Sequence, residues 1–235
     1  MNDFLNFFVE PYQTASALHI SLELIAAFFG VLSVFYAKKE NILVFPTGIV
    51  STALYVYLLV QWDLYGDLII NIYYTLMSVY GWYMWSRIVD DKQHHLPIST
   101  TNNSEKLKAF GIFLFTSIFV IAVYRHYNVM PNHLNFIESA DYAFTNLTAG
   151  NLEDFRKITP FLDTFTTGIF FAGMWLMANK KLENWLFWIA GNVVSIPLYF
   201  VKGYGFTGIQ YAIFLFLAFQ GYYAWKKNLN KQTSI

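Results

Sequence analysis

The sequence predicts an all-α membrane protein with seven transmembrane helices in a single domain. Of its 235 residues, 56% are hydrophobic and only 13% are charged, whereas about 25% of the residues in a soluble domain are charged. Seven apolar stretches approach the ~20 residues that a helix needs to cross the hydrocarbon core of a bilayer. A weak internal repeat also relates the first three stretches to the last three. Together these observations exclude a water-soluble fold.

Composition and motifs exclude several functions. Lys and Arg total 15, as do Asp and Glu, so the basic excess of a nucleic-acid-binding protein is absent. The chain has no cysteine, which excludes disulfides and cysteine-ligated metals. It also lacks the phosphate-binding motif G-x-x-x-x-G-K-S/T and the zinc motif H-E-x-x-H. We therefore expect no cofactor and no metal, and we favour a transporter; a membrane-embedded sensor and an intramembrane enzyme remain the alternatives from other classes.

The predicted spans follow one another along the chain with polar segments between them. They lie near residues 15–37, 41–60, 65–86, 107–127, 161–179, 184–201 and 205–225, and are called spans 1 to 7. Residues 4–9 are predicted to form a short helix in the membrane interface. Residues 88–106 are predicted to be a solvated linker, and residues 128–160 to contain an interfacial helix around Leu134–Asn146.

The basic residues predict the orientation, because cytoplasmic loops collect Lys and Arg. With the N-terminus outside, the cytoplasmic side holds eleven of them: Lys38, Lys39, Arg87, Lys92, Lys106, Lys108, Lys180, Lys181, Lys226, Lys227 and Lys231. The opposite side holds four, which are Arg125, Arg156, Lys157 and Lys202. The prediction is therefore an N-terminus outside and a C-terminus in the cytoplasm.

The internal repeat predicts the arrangement of the spans. Several short matches recur in the same order at a nearly constant offset: Phe28-Phe29 as Phe170-Phe171, Lys38-Lys39 as Lys180-Lys181, Glu40-Asn41 as Glu183-Asn184, Gly48 as Gly191, and Gly81-x-Tyr83-x-Trp85 as Gly221-x-Tyr223-x-Trp225. Span 4 has no counterpart, so the two triplets run in the same direction. This predicts a 3+1+3 parallel repeat, with repeat one at about 15–86, a linker helix at about 107–127 and repeat two at about 161–225. Parallel repeats favour a transporter whose substrate lies between two halves.

Polar and aromatic residues that share a helical face predict the binding site, since polar groups within a membrane helix mark a cavity or a packing seam. With the side-chain period of an α-helix, one stripe of span 6 and one of span 3 collect most of them, each covering less than a third of the helix circumference. The candidate site residues are Trp185, Trp188, Asn192 and Tyr199 on span 6, Asn71, Tyr74 and Ser78 on span 3, Thr167 on span 5 and Gln220 on span 7. Amides, hydroxyls and electron-rich rings suit a small, partly aromatic, hydroxylated ligand that is neutral or cationic. A phosphorylated ligand would need a buried cation, and no span carries one at its middle.

Other residues near the span ends have a simpler interpretation. Trp82, Trp85 and Trp225 lie near the predicted cytoplasmic ends, where aromatic belts anchor membrane helices. The same anchoring role competes with ligand contact at Trp185. Asp67, near the outer end of span 3, either draws a cation toward the outer mouth or faces water.

Three motifs make the chain resemble a known family. They are Tyr80-Gly81-Trp82-Tyr83-x-Trp85 at the end of span 3, Asp163 followed by a threonine-rich helix ending Leu176-Met177-x-x-Lys180, and Glu183-Asn184-Trp185-x-x-Trp188-x-x-x-Asn192 on span 6. The chain resembles the PnuC nicotinamide riboside transporters of bacteria over nearly its whole length. The family fold is a seven-helix 3+1+3 parallel repeat related to the SWEET sugar carriers, in agreement with the repeat found above.

The resemblance implies facilitated diffusion of nicotinamide riboside across the bacterial inner membrane, without ion or ATP coupling. It further implies trapping of the riboside by a cytoplasmic riboside kinase, a homotrimer, and ligand contact by Trp185, Trp188 and Asn192. The chain carries Asn71 and Ser78 where many members have Gln and Asn. Because similar carriers transport thiamine or riboflavin, thiamine or another vitamin remains the alternative substrate. The implied mechanism is alternating access, with the two triplets rocking about span 4.

Overall fold

The computed structural model describes residues 16–61, 65–88 and 96–232. These residues form helices α1 Ala17–Lys38, α2 Val44–Gln61, α3 Tyr65–Ser86, α4 Asn103–His126, α5 Phe136–Thr148, α6 Leu152–Lys157, α7 Thr159–Ala178, α8 Asn184–Val201 and α9 Gly205–Gln232. The all-α class is thus confirmed within the described residues. The short helix predicted at residues 4–9 lies outside them.

The long helices coincide with the predicted spans: α1 to α4 with spans 1 to 4, and α7 to α9 with spans 5 to 7. Among the described residues, α1, α2, α4, α7 and α8 are both long and apolar enough to cross a membrane. Helices α3 and α9 have sufficient length, with 22 and 28 residues, but are less apolar. The chain is therefore a multi-pass membrane protein, while the count of seven spans stays a prediction.

Side-chain caps explain where the predicted boundaries differ from the helices. Helix α4 begins at Asn103, four residues before the apolar run, because Asn102 and Glu105 form a capping box. The Asn102 side chain accepts the Glu105 N–H at 2.9 Å, and the Glu105 carboxylate accepts the Asn102 N–H at 2.8 Å. The helix predicted around Leu134–Asn146 is present as α5, which starts on a similar capping box.

Six of the described helices form a closed ring. Helix α1 packs on α2 and α2 on α3, while α7 packs on α8 and α8 on α9. Contacts of α3 with α7 and of α9 with α1 join these two triplets into the ring, and α4 packs outside it against α7. The ring therefore has two seams, one between α3 and α7 and the other between α9 and α1.

Two turns at the same end of the ring have the same backbone geometry. The Asn41 N–H donates to the Tyr36 carbonyl at 3.0 Å, and the Lys181 N–H donates to the Leu176 carbonyl at 2.9 Å. Between α1 and α2, Glu40 has φ 54°, and between α7 and α8, Lys180 has φ 50°. Corresponding residues of the two turns are always the same number of positions apart in the sequence. We call this separation, which is that between Glu40 and Lys180, the repeat interval. We call this end of the ring the turn end.

This geometry corrects the sequence alignment of the triplets. The matches of Lys38-Lys39 with Lys180-Lys181, and of Glu40-Asn41 with Glu183-Asn184, displace the turns by two or three positions. The residue in the left-handed conformation is Glu40 in one turn and Lys180 in the other. At this end the two triplets have the backbone turn in common. The sequence matches were displaced because they paired charged residues by type alone.

Two of the predicted membrane anchors are instead core residues. Trp85 is 3% exposed and Trp225 is fully buried, whereas Trp82 is 42% exposed. Their indole N–H groups donate to backbone carbonyls of other helices, Trp85 to Met177 at 3.2 Å and Trp225 to Ala37 at 2.9 Å. The anchor prediction was wrong for Trp85 and Trp225, because the turn end buries both between the triplets.

Candidate ligand-binding site

A continuous row of aromatic rings lies between α3, α7, α8 and α9. Neighbouring ring centroids along it are 3.7 to 6.3 Å apart, within or just below the range of favourable aromatic pairs. We call this set the aromatic chain, and it consists in spatial order of Tyr199, Tyr211, Phe170, Trp188, Tyr74, Phe171 and Tyr73. The aromatic chain crosses the seam between α3 and α7, so both triplets contribute rings to it.

The centre of the aromatic chain is Trp188. Its indole stacks on Phe170 of α7 with centroids 5.5 Å apart and planes at 28°. Tyr74 of α3 meets the same indole edge-on at 6.3 Å. On the other side of Tyr74, Tyr73 stacks flat on Phe171 at 3.7 Å and donates its hydroxyl proton to the Phe171 carbonyl at 2.9 Å. The hydrogen bond fixes the rings at the seam.

Glycines on α7 and α8 make room for these rings. A Cβ atom at Gly191 would overlap the Phe170 ring, and one at Gly173 would lie 3.0 Å from the Phe187 Cβ atom and 3.8 Å from the Trp188 indole. Because glycine lacks that atom, the two helices approach closely enough for Phe170 and Trp188 to stack. The glycines thus position the centre of the aromatic chain.

Two buried polar groups lie on the same face of α8 as Trp188. Asn192 is 3% exposed and Ser195 is 1% exposed. Among the described residues, the Ser195 hydroxyl has no hydrogen-bond partner. Leaving a buried polar group unpaired costs about 1–3 kcal/mol, and a ligand hydroxyl or amide could remove that cost. The face therefore combines flat rings with groups that can donate and accept.

The structure brings four of the predicted site residues together. Trp188, Tyr74 and Tyr199 belong to the aromatic chain, and Asn192 is buried one turn along α8 from Trp188. Thr167 is 7% exposed on α7, one turn before Phe170.

Four other predicted site residues have neighbours outside the aromatic chain. Trp185 is 1% exposed, packs edge-on to Trp225 at 5.5 Å, and its N–H has no partner among the described residues. The Gln220 amide oxygen accepts from the Lys38 ammonium at 2.7 Å, and the Asn71 amide donates to the Asp67 carbonyl of its own helix at 2.9 Å. Ser78, which is 3% exposed, lies on α3 against α2, where its hydroxyl would be 3.4 Å from a Cβ atom at Gly48.

Four members of the aromatic chain are not among the predicted site residues: Phe170, Phe171, Tyr73 and Tyr211. Tyr211 stacks on Tyr199 at 4.9 Å and lies nearly parallel to Phe170 at 6.1 Å. Phe170 carries no polar atom, so a search for polar groups passes over it. The repeat gives no signal for it either, because the equivalent position one repeat interval earlier is Gly30.

Charged groups collect at the end of the ring opposite the turn end. The Lys202 ammonium pairs with both oxygens of Asp163, at 2.6 and 2.5 Å, and this pair joins the start of α7 to the end of α8. Asp67 on α3 lies within electrostatic reach of both partners. Lys202 also lies 5.4 Å from the Tyr199 ring centroid. The cation nearest the aromatic chain among the described residues is thus neutralised by a carboxylate.

No group of three or more His, Cys, Asp or Glu residues that could hold a metal ion occurs in the part of the chain that the structure describes. A ring of apolar helices with an aromatic-lined interface between two triplets defines a multi-pass membrane protein of the transporter class. The chain belongs to the nicotinamide mononucleotide transporter family, whose sequence profile matches residues 20–227. It is accordingly a transporter and not an enzyme.

Curated relatives and a solved structure agree with this assignment. The chain is 24% identical over 213 residues to the nicotinamide riboside transporter PnuC of Escherichia coli, covering 91% of this chain and 88% of that protein. It is 24% identical over 216 residues to the PnuC protein of Neisseria mucosa, covering 89% and 73% respectively. A crystal structure described as the vitamin B3 transporter PnuC matches with a TM-score of 0.62 at 20% identity, over 97% of this chain and 90% of that one. The structural match shows the fold.

Proposed function

We propose that this protein carries nicotinamide riboside across a bacterial inner membrane by facilitated diffusion. The observation that carries the proposal is the aromatic chain, which draws rings from both triplets and has no unpaired cation beside it among the described residues. Relatives from Escherichia coli and Neisseria mucosa are named nicotinamide riboside transporters. Nicotinamide riboside has a positively charged pyridinium ring, a carboxamide and a ribose.

Each part of that ligand has a matching group. A pyridinium ring placed against Trp188 gains cation–π attraction from the electron-rich indole face. Tyr74 and Phe170 flank the same indole at 6.3 and 5.5 Å. The Asn192 amide and the Ser195 hydroxyl lie on the same helix face and can exchange hydrogen bonds with the carboxamide or the ribose.

The charge pattern favours the riboside over the mononucleotide named in the family description. A phosphate group requires a cation or several N–H donors when it is buried. Lys202 is already bound by Asp163, and Lys180 lies at the turn end, 4.6 Å from the Trp85 ring centroid. Thus a phosphate at the aromatic chain would be left without a free cation from the described residues.

We further propose that all seven long helices span the membrane as a 3+1+3 parallel repeat. Three relations support it: the matching turns one repeat interval apart, the ring of two triplets, and α4 lying outside the ring. The distribution of basic residues supports an N-terminus outside and a turn end facing the cytoplasm. The two triplets then rock about α4, which exposes the aromatic chain first to one side and then to the other. A homotrimer and trapping by a cytoplasmic riboside kinase complete the proposal, on the resemblance described above.

Ligand binding to the purified protein tests the substrate. We expect nicotinamide riboside to quench tryptophan fluorescence or to release heat on titration, with nicotinamide mononucleotide binding at least about tenfold more weakly. Thiamine is the informative competitor, because it is also cationic and aromatic. Tighter binding of thiamine than of nicotinamide riboside would overturn the substrate and leave the fold standing.

A further inference from the structure

Four aromatic side chains lie in a row across the turn end of the helix ring, from one triplet to the other. Phe45 meets Trp85 edge-on at 5.0 Å, Trp85 meets Trp225 at 5.9 Å, and Trp225 meets Trp185 edge-on at 5.5 Å. We call these four residues the aromatic floor. All four are at most 3% exposed, and Tyr74 and Trp188 of the aromatic chain pack against the buried cluster to which they belong.

The aromatic floor is symmetrical. Phe45 and Trp185 occupy equivalent positions one repeat interval apart, as do Trp85 and Trp225. Phe45 fills the space over Gly81, and Trp185 fills the space over Gly221, where in each case a Cβ atom would overlap the ring. Each triplet therefore supplies one ring that packs within itself and one that reaches the other triplet.

Two indole hydrogen bonds join the two triplets at the aromatic floor. The Trp85 indole of α3 donates to Met177 of α7, and the Trp225 indole of α9 donates to Ala37 of α1. Each bond bridges one of the two seams, and both donors are buried. Separation of the triplets at this end must break both bonds and part Trp85 from Trp225.

Part of the linker between α3 and α4 packs against one side of the aromatic floor. Its residue Ile98 is 2% exposed and belongs to the same buried cluster as the four rings. Ser99 donates its N–H to the Lys180 carbonyl at 3.1 Å and accepts the Leu182 N–H at 2.9 Å. The Thr101 N–H adds bonds of 3.1 and 3.0 Å to the two carboxylate oxygens of Glu183. We call residues 96–101 the strap.

The strap binds the turn between α7 and α8 and continues into α4. Beyond it, Glu105 in the first turn of α4 forms an ion pair of 2.7 Å with Lys181. The equivalent turn between α1 and α2 is instead contacted by α9, where Asn228 donates to Glu40 at 2.5 Å. Burial lowers the pKa of Lys180 in the strapped turn.

We propose that the aromatic floor is the gate at the turn end, and that the strap is the element that holds this gate closed. The inference rests on the alternating-access transport proposed above. Opening then requires loss of the two indole hydrogen bonds, and Ile98 must leave the buried cluster. The strap, which is attached to one triplet, biases the gate toward the closed state.

Thiol accessibility tests the gate directly, because the chain contains no cysteine. Ser78→Cys places one thiol on α3 seven residues before Trp85, about 10 Å along the helix toward the aromatic chain. A membrane-impermeant maleimide is added to each face of the membrane in turn. Trp85→Phe and Trp225→Phe are then introduced together into the Ser78→Cys protein. They keep an aromatic ring at each position and remove both indole N–H donors. We expect about a tenfold faster labelling from the turn end, since each lost bond changes an equilibrium by a factor of roughly 2 to 10.

Two comparisons make the result specific. Trp82→Phe, on the same helix but 42% exposed, should leave the rate unchanged. Ile98→Ser, which disturbs the strap and no indole, should raise labelling from the turn end and not from the opposite face. Unchanged labelling rates in both the double variant and Ile98→Ser would overturn the proposal. An equal rise of the labelling rate in Trp82→Phe would also overturn it, and so would an equal rise from both faces of the membrane. Should the double variant fail to reach the membrane, Ile98→Ser decides in the same assay. Labelling needs no ligand, so its outcome is independent of whether nicotinamide riboside is transported.

Discussion

Trp188 is the residue on which ligand binding depends most in this account. It is the ring at which α7, α8 and α3 meet, through Phe170 at 5.5 Å and Tyr74 at 6.3 Å. Buried polar groups lie on the same helix face, one and two turns away. An indole in this position supplies both the flat surface and the electron density that a pyridinium cation requires.

Replacement of Trp188 tests this role. Trp188→Ala should weaken nicotinamide riboside binding at least about tenfold, because stacking and cation–π attraction are each worth roughly 0.5–2 kcal/mol. Trp82→Ala is the matched control, since this exposed side chain lies apart from the aromatic chain. Titration calorimetry on both variants measures the difference. Equal losses of affinity in the two variants would remove the α8 face from the binding site.

The sequence could predict the polar face of α8 but not the fate of each tryptophan. Helical periodicity alone places Trp188, Asn192 and Tyr199 on one face. Trp82 and Trp225 both lie near span ends and look alike in sequence, yet one is 42% exposed and the other fully buried. Burial depends on the neighbouring helices, which periodicity does not contain.

At the scale of elements, glycines set the distance between helices. Gly191 on α8 faces the Phe170 ring of α7, whereas Gly111 on α4 has no atom within 4 Å of a Cβ position. Identical substitutions at the two glycines therefore separate packing from helix propensity.

Gly191→Ala should push Phe170 off Trp188 and lower both thermal stability and ligand affinity. Gly111→Ala should leave affinity unchanged and stabilise the protein by up to about 1 kcal/mol, the helix-propensity difference between the two residues. Thermal unfolding in detergent and ligand titration together check both expectations. The packing account is contradicted if the two variants behave alike.

The pair of Asp163 and Lys202 ties α7 to α8 at the end opposite the aromatic floor. Its side chains are 16% and 26% exposed, so loss of one partner leaves a half-buried charge uncompensated. Lys202→Met should lower the thermal unfolding midpoint clearly, as breaking a poorly solvated pair costs about 1–3 kcal/mol or more. Lys157→Met removes an exposed partner of Asp154 and should change the midpoint little. A midpoint for Lys202→Met no lower than that for Lys157→Met would show that the pair does not stabilise the helix ends.

Element positions were largely predictable because apolar runs and helices have similar lengths. Spans 3 and 6 have the bounds of α3 and α8, while α4 starts four residues early because a capping box draws the polar residues before the apolar run into the helix. The six-residue α6 was not predicted. So short a helix carries too few residues for periodicity to mark it.

In the whole molecule, the two triplets have the same turn geometry at the turn end but differ in their interiors. At positions one repeat interval apart, Phe170 corresponds to Gly30, and Trp188 corresponds to Gly48. A Cβ atom at Gly30 would lie 3.1 Å from the Ser51 hydroxyl, and Gly48 would similarly meet Ser33. Small residues thus pack the first triplet tightly where rings fill the second. In the proposed function, this asymmetry puts most of the flat surface for a ligand on the second triplet.

The sequence predicts a correspondence between the two triplets but not this difference between their interiors. Matching residue types aligned the turns two or three positions away from the backbone equivalence, because Lys38-Lys39 and Lys180-Lys181 are similar by type and not by conformation. The left-handed residues Glu40 and Lys180 have unrelated side chains. Contacts across the seams depend on tertiary packing and could not be read from either triplet alone.

Uptake into liposomes that hold the purified protein and no ion gradient tests whether this protein carries nicotinamide riboside by facilitated diffusion. We expect labelled nicotinamide riboside to enter until the inner and outer concentrations are equal, and excess unlabelled riboside, but not the mononucleotide, to block its entry. Accumulation above the outer concentration only when an ion gradient is imposed would contradict facilitated diffusion. Equal inhibition by the mononucleotide would contradict a site without a free cation.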